Sequence, residues 1–224
     1  MNHENLVIPP ARPAPSDILL ASRVIAVLRA GHAWEYAPVI RALVDGGVVS
    51  IELTLSTEGV IAELPALRAT FGAGVEIGVG TVTTVEQAEA AMSAGADYLV
   101  TPITHPDVIK AAVQRGVPIF PGGLTPTELH TGWSLGSTAV KLFPASTVGP
   151  EYISQLRSPF PDLAVVPSGG ISIDDAPFWI RAGALAVSMG GPLLGDAFKG
   201  GSLPGLTQRA ERVRRLVDEA GAGQ

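Results

Sequence analysis

The sequence predicts an α/β protein, a single (β/α)8 TIM barrel, on three observations. Short β-branched runs alternate eight times with longer Ala/Leu-rich stretches over about 200 residues. Most helix-patterned stretches are followed by Gly shortly before the next run, at Gly46-Gly47, Gly72, Gly95, Gly116, Gly136 and Gly183. Gly accepts the left-handed conformation that stops a helix. Polar residues then collect at the C-terminal ends of the runs, where such a barrel keeps its chemistry. A doubly wound open sheet normally uses fewer strands.

The strands are expected at Val24–Leu28, Val49–Leu55, Val75–Gly80, Tyr98–Thr101, Pro118–Phe120, Ala139–Phe143, Ala164–Pro167 and Ala186–Met189. Helices are expected near 34–45, 58–70, 84–94, 105–115, 125–135, 150–157, 174–182 and 204–220. The fifth strand has the poorest signal, because Pro118 and Pro121 bracket it and proline cannot donate to a ladder. Residues 1–16 read as an extended Pro-rich leader outside the fold, and residues 17–224 as the barrel.

Composition narrows the function classes. The 224 residues carry a net charge of −6 with no basic run, which argues against nucleic-acid binding. There is no cysteine, and the four histidines are scattered, so neither a disulfide framework nor a metal site is expected. No apolar run is long enough for a membrane span, and the first residues lack a signal-peptide pattern. A cytoplasmic protein with no membrane partner is the expectation.

Lys141 is the most informative residue. It is one of three lysines and lies alone in the apolar run Ala139-Val140-Lys141-Leu142-Phe143-Pro144. An ammonium in such a run is costly unless paired or deprotonated. A buried neutral amine is a nucleophile able to form a Schiff base with a carbonyl substrate. Glu52 is its natural counterpart. Strand side chains alternate, so Ser50, Glu52 and Thr54 share one side, as do Ala139, Lys141 and Phe143. If both sides face inward, the amine and carboxylate converge as nucleophile and proton-transfer group. The alternative is a structural ion pair. Two glycine pairs, in Ser168-Gly169-Gly170 and Gly190-Gly191, follow the last two strands. Loops at these places commonly hold phosphate, and glycine lets backbone N–H groups approach an anion; a tight turn is the simpler reading.

These residues resemble the 2-keto-3-deoxy-6-phosphogluconate and 4-hydroxy-2-oxoglutarate aldolases, over roughly Arg23 to Val217. The resemblance is carried by Gly46-Gly47 with Ile51-Glu52-Leu53-Thr54, by Gly78-Val79-Gly80-Thr81-Val82, and by Val100-Thr101-Pro102. It continues in Phe120-Pro121-Gly122, Val140-Lys141-Leu142-Phe143-Pro144, Gly149-Pro150 and Pro167-Ser168-Gly169-Gly170-Ile171. It implies a class I, metal-independent aldolase with no cofactor, assembled as a homotrimer. Lys141 would be the Schiff-base lysine and Glu52 the general acid/base. Thr81 would bind the substrate carboxylate beside Thr54. Pro102 and Phe143 would shape the wall, and Ser168, Gly169, Gly170, Gly190 and Gly191 would hold a distal phosphate.

The implied reaction cleaves a 2-keto-3-deoxy-6-phospho sugar acid of the gluconate type to pyruvate and glyceraldehyde 3-phosphate, as in Entner–Doudoroff catabolism. Alternatives are 4-hydroxy-2-oxoglutarate or a phosphogalactonate-type acid, then a sugar-phosphate isomerase or epimerase without a Schiff base, or a non-catalytic binding barrel. Three positions depart from the family pattern. Ser56 stands where many members carry a carboxylate-binding Arg, Ser168 replaces Thr, and Pro192 replaces a Ser. Arg29, at the end of the neighbouring first strand, is the candidate to replace the missing arginine.

Overall fold

The computed structural model describes residues 11–222. The chain is an α/β fold of parallel strands and packed helices. The strands are β1 (Val24–Leu28), β2 (Ser50–Thr54), β3 (Glu76–Gly80), β4 (Leu99–Val100), β5 (Ile119–Phe120), β6 (Gly122–Gly123), β7 (Val140–Leu142), β8 (Val165–Pro167) and β9 (Val187–Met189). The helices are α1 (Asp17–Ser22), α2 (Tyr36–Asp45), α3 (Val60–Phe71), α4 (Val85–Ser93), α5 (Pro106–Gln114), α6 (Pro126–Ser134), α7 (Glu151–Arg157), α8 (Ala176–Arg181), α9 (Gly191–Leu194) and α10 (Leu203–Gly221).

Six strands form one sheet in the order β5-β4-β3-β2-β1-β9, and β6-β7-β8 form a second. All pairings are parallel. The expected fifth strand appears as β5, and β6 is a further short strand just beyond Pro121, which has no N–H to give; the Pro121 carbonyl accepts from the Lys141 amide at 2.8 Å. Between the two sheets, Leu185 N–H donates to the Val165 carbonyl and Thr138 N–H to the Ile119 carbonyl. Ser168, just after β8, forms a parallel bridge with Ser188 of β9.

Strand side chains divide between two apolar clusters, as period-two alternation requires. Val24, Ala26 and Leu28 of β1 pack in the large cluster beneath the helices, and Ile25 belongs to a smaller one. Tyr98, Val100, Phe120, Ala139, Val166 and Ala186 join Ile25 on that inner face. Ile51 and Leu53 lie on the helix side, so Ser50, Glu52 and Thr54 face inward, as the alternation predicts. Lys141 does the same between Val140 and Leu142.

Sequence signals account for the helix ends. Thr84 and Ser202 cap α4 and α10 with their hydroxyls. Thr125 and Glu128 form a capping box on α6. Helix α10 packs against α2 and α8. A side chain at Gly46 would overlap Ala210 and the Thr207 carbonyl, which fixes glycine at the α2–α10 approach.

Helix α1 was not among the expected helices. Ser16 caps it by accepting from Leu19 N–H at 2.9 Å, and Leu19 joins the inner cluster at the N-terminal end of the strands. The segment before it also departs from expectation. Residues 1–10 of the expected leader lie outside the described residues, but residues 11–16 do not stand clear of the fold. Pro13 is buried, and Arg12 donates to the Ser137 and Trp133 carbonyls while stacking on the Trp133 ring. A guanidinium meets carbonyls at and just beyond the C-terminal end of α6, an attraction the Pro-rich composition conceals.

Leu19→Ala should destabilise the protein by about 2–5 kcal/mol, the range for emptying a buried leucine site. Chemical denaturation measures this, and an unchanged midpoint would show that α1 adds nothing to the inner core.

Candidate functional site

Two strands bring the expected pair together. Lys141 Nζ lies 3.7 Å from Glu52 Oε1. Lys141 is 8% exposed and Glu52 1%. The other lysines differ: Lys110 pairs with Asp107 on an exposed helix face, and Lys199 is exposed. Glu52 Oε2 is buried without a hydrogen-bond partner. A buried carboxylate oxygen left free is rare in a purely structural contact and common where a substrate must be met.

Strand β3 makes room for this carboxylate. A Cβ at Gly80 would overlap Glu52 Oε1, and one at Gly78 would overlap the Tyr98 ring. The Gly-Val-Gly of the sequence is thus a recess on the inner face. Thr81 follows with φ +62°. A left-handed conformation is unusual for a β-branched residue and costs on the order of 1–3 kcal/mol, the kind of strain that gathers at functional sites.

The remaining expected residues lie at or near the same strand ends. Phe143 is half-exposed; its ring centre is 5.5 Å from Lys141 Nζ, and the ring edge fills the space beside Gly169. Pro102 is half-buried, and its backbone lies against Gly122. Gly169 and Gly170 have φ of +89° and +77°, so the turn after β8 requires glycine twice. Ser168 donates to Ser188 Oγ at 3.1 Å and is buried. Thr54 points inward, but its hydroxyl donates to the Leu28 carbonyl at 3.1 Å and contacts the exposed Ser56 at 3.0 Å. Pro192 sits in the first turn of α9, where a missing N–H costs little.

Arg29 is exposed at the end of β1. With Val27, Gly190, Gly191, Phe198 and Lys199 it lines a cavity of about 340 Å³. A larger cavity of about 600 Å³ lies beside Ser146, Gly170 and Ile171. No group of three or more His, Asp or Glu residues able to hold a metal occurs among the described residues.

Sequence reasoning missed a polar group under the pair. Ser50 Oγ lies 3.3 Å from Tyr98 Oη. Ser50 is also the register partner of Glu76, which faces inward at the far end of β3. Burial pushes the Glu76 carboxyl up from its ordinary range; the Ser16 and Ser50 hydroxyls oppose this and Asp97 adds to it. Burial likewise holds the Tyr98 phenol well above its ordinary value, and the charges of Glu76 and Glu52 add to the rise. The signal was available: Glu76 is a lone carboxylate in an apolar run, as Lys141 is a lone amine.

The model of one family, "KDPG and KHG aldolase", matches residues 16–202. The 2-dehydro-3-deoxy-6-phosphogalactonate aldolase of Escherichia coli K12 is 35% identical over 171 residues, covering 76% of this chain and 83% of that one. The 2-dehydro-3-deoxy-phosphogluconate aldolase of Treponema pallidum is 37% identical over 154 residues, covering 68% and 73%. Among solved structures, the KDPG aldolase of Legionella pneumophila, with pyruvate captured as a covalent carbinolamine, superposes with a TM-score of 0.79 at 27% identity, covering 88% of this chain and 96% of that one. With five-sixths of its length matched by that model, and strands that bring a buried lysine to a buried glutamate, the chain belongs to the KDPG and KHG aldolase family.

Proposed function

We propose that this protein is a class I aldolase cleaving a 2-keto-3-deoxy-6-phospho sugar acid of the gluconate type to pyruvate and glyceraldehyde 3-phosphate. The observation that carries the reading is the 3.7 Å approach of Lys141 Nζ to Glu52 Oε1, out of solvent, in a chain of this family. The Legionella pneumophila relative, which holds pyruvate as a carbinolamine, supports the covalent route.

Lys141, as the free amine, adds to the C2 ketone. Glu52 delivers the proton with which the carbinolamine hydroxyl leaves as water, giving an iminium. The C3–C4 electrons flow into the iminium as the C4 hydroxyl loses its proton to Glu52, and the aldehyde departs. The enamine takes a proton at C3, and water hydrolyses the resulting iminium to pyruvate and free Lys141. Dividing one cleavage into these steps lowers each barrier. The single inward carboxylate beside the amine suits a group that gives and takes the proton in turn.

Around this pair, Thr81 and Arg29 hold the substrate carboxylate, with Thr54 behind them. Pro102 and Phe143 form the wall. The backbone amides of Ser168, Gly169 and Gly170 and of Gly190 and Gly191 receive the phosphate, and the two positive-φ glycines after β8 support that role. The two sheets are arcs of one closed (β/α)8 barrel spanning residues 17–224; β5 and β6 are one strand broken at Pro121. The Leu185–Val165 and Thr138–Ile119 hydrogen bonds and the Ser168–Ser188 bridge support closure. The assembly is a homotrimer working in the cytoplasm. No helix among the described residues is long and apolar enough to cross a membrane.

A second reading, a phosphogalactonate-type substrate of opposite C4 configuration, is favoured by the Escherichia coli K12 relative. A panel of both phospho acids and 4-hydroxy-2-oxoglutarate, assayed for pyruvate release, decides between them.

Borohydride reduction in the presence of pyruvate should attach a reduced pyruvyl group to Lys141, located by peptide mass spectrometry; attachment at Lys110 or Lys199 instead would overturn the assignment. Glu52→Gln should fold and lose about 10²–10⁴-fold in kcat. Gly80→Ala, whose methyl displaces the carboxylate, should lose activity in the same direction, and unchanged turnover in both would remove Glu52 from the mechanism. Arg29→Lys and Arg29→Ala should weaken pyruvate binding, Ala by about tenfold to over a hundredfold, the scale of a lost charge-assisted hydrogen bond. Wild-type affinity in both would leave the carboxylate to Thr81.

A further inference from the structure

The cavity of about 340 Å³ beside Gly190 and Gly191 is lined by two cationic side chains and no acidic one. These are Arg29 and Lys199, and among the described residues neither has an acidic partner. The other two lysines do: Lys110 meets Asp107 and Lys141 meets Glu52. In a chain of net charge −6, two unpaired cations on one cavity mark a place for an anion. The cavity also extends to the strand position beside Glu52. Val27 lines it, faces inward between Ala26 and Leu28 of the helix side, and is the register partner of Glu52. We propose that Lys199 is a specificity-determining residue: its ammonium binds the distal phosphate of the substrate beside Gly190 and Gly191.

The inference rests on the aldolase reading for the identity of the anion. That reading gives Arg29 to the substrate carboxylate, which leaves Lys199 as the cation for the other end. Backbone amides of the glycine pair can approach a phosphate but carry no full charge, and the side chains nearby add little. Ser168 donates its hydroxyl to Ser188 Oγ, and Pro192 has neither a hydroxyl nor an N–H. A phosphate dianion seated there needs a cation. An ammonium, with three donors on a flexible stem, meets it as a point charge. Nothing lies within 4 Å of where a side chain at Gly191 would stand, so the space beside the pair is open.

The turn that carries Lys199 is held in place. Lys199 N–H donates to the Asp196 carbonyl at 2.8 Å, and Gly201 N–H to the same oxygen at 3.0 Å. Phe198 packs edge-on against the buried Tyr36 ring, with centres 5.9 Å apart. Arg209 of α10 donates to the Leu193 and Leu194 carbonyls at 2.7 and 2.9 Å and so fixes the end of α9, another part of the wall. Asp196, the nearest acid in sequence, turns its carboxylate against Gly201 and does not line the cavity. A lysine that merely solvates a surface turn would not distinguish a phosphorylated substrate from its unphosphorylated counterpart.

The test compares kcat/KM for the better of the two phospho acids with kcat/KM for the same acid lacking its phosphate, in wild type, Lys199→Gln and Lys199→Arg. The ratio should fall about 5- to 20-fold in Lys199→Gln, the low end for a hydrogen bond to a charged group because Lys199 is exposed. The loss should lie in KM for the phospho acid, and Lys199→Arg should keep most of the ratio. Raising ionic strength from about 0.05 to 0.5 M should erode the ratio more in wild type than in Lys199→Gln, as screening of an exposed charge requires. A wild-type ratio in Lys199→Gln overturns the proposal, as does an equal loss in Lys199→Arg. Should Lys141 fail to trap pyruvate, or neither phospho acid turn over, the aldolase reading falls by itself, and a phosphorus NMR titration of the substrate-free protein with inorganic phosphate decides the site. Weaker phosphate binding in Lys199→Gln than in wild type then upholds it, and equal binding, or none in wild type, refutes it.

Discussion

Much of this molecule is arranged around one unfavourable demand: an amine and a carboxylate must be held together out of water. A buried pair of this kind contributes little net stability, because desolvation offsets the attraction. The fold meets the demand by placing each charge on a strand whose alternate residues anchor it from the helix side. Val140 and Leu142 hold Lys141; Ile51 and Leu53 hold Glu52. The neighbouring strand then gives up side chains at Gly78 and Gly80 to make space. Packing fixes the positions, and an absence of packing atoms gives them room.

The alternation of strand and helix was legible because period and punctuation agree along the chain. All eight expected helices appear, and the strands fall within a residue or two of their expected bounds. The inward direction of Lys141 and Glu52 followed from counting residues by twos. Three features were hidden for separable reasons. Helix α1 is only six residues long, too short for a periodic signal. Strand β6 is two glycines just after a proline, a composition that carries no strand signal. Arg12 is tied down by the end of a helix more than a hundred residues away, and such long-range partners leave no local trace.

The site was legible where a residue type conflicted with its surroundings and obscure where it did not. A lysine in a valine-rich run announces itself. Thr81 does not, because its left-handed backbone is set by the chain path rather than by its own preference. Ser50 and Tyr98 are ordinary in strands, and only their meeting across β3 gives them meaning. Glu76 had the same kind of signal as Lys141, but without the family motif to draw attention to it.

The scarcity of lysine has a chemical corollary. The chain has three lysines against twelve arginines, so nearly all of its cationic surface is guanidinium. Guanidinium groups keep their protons and do not condense readily with carbonyls, whereas lysine amines do. An enzyme that liberates an aldehyde bathes itself in an electrophile at every turnover. With Lys110 engaged to Asp107, such a surface offers that electrophile few sites for adventitious imines, and the protein is shielded from slow modification by its own product.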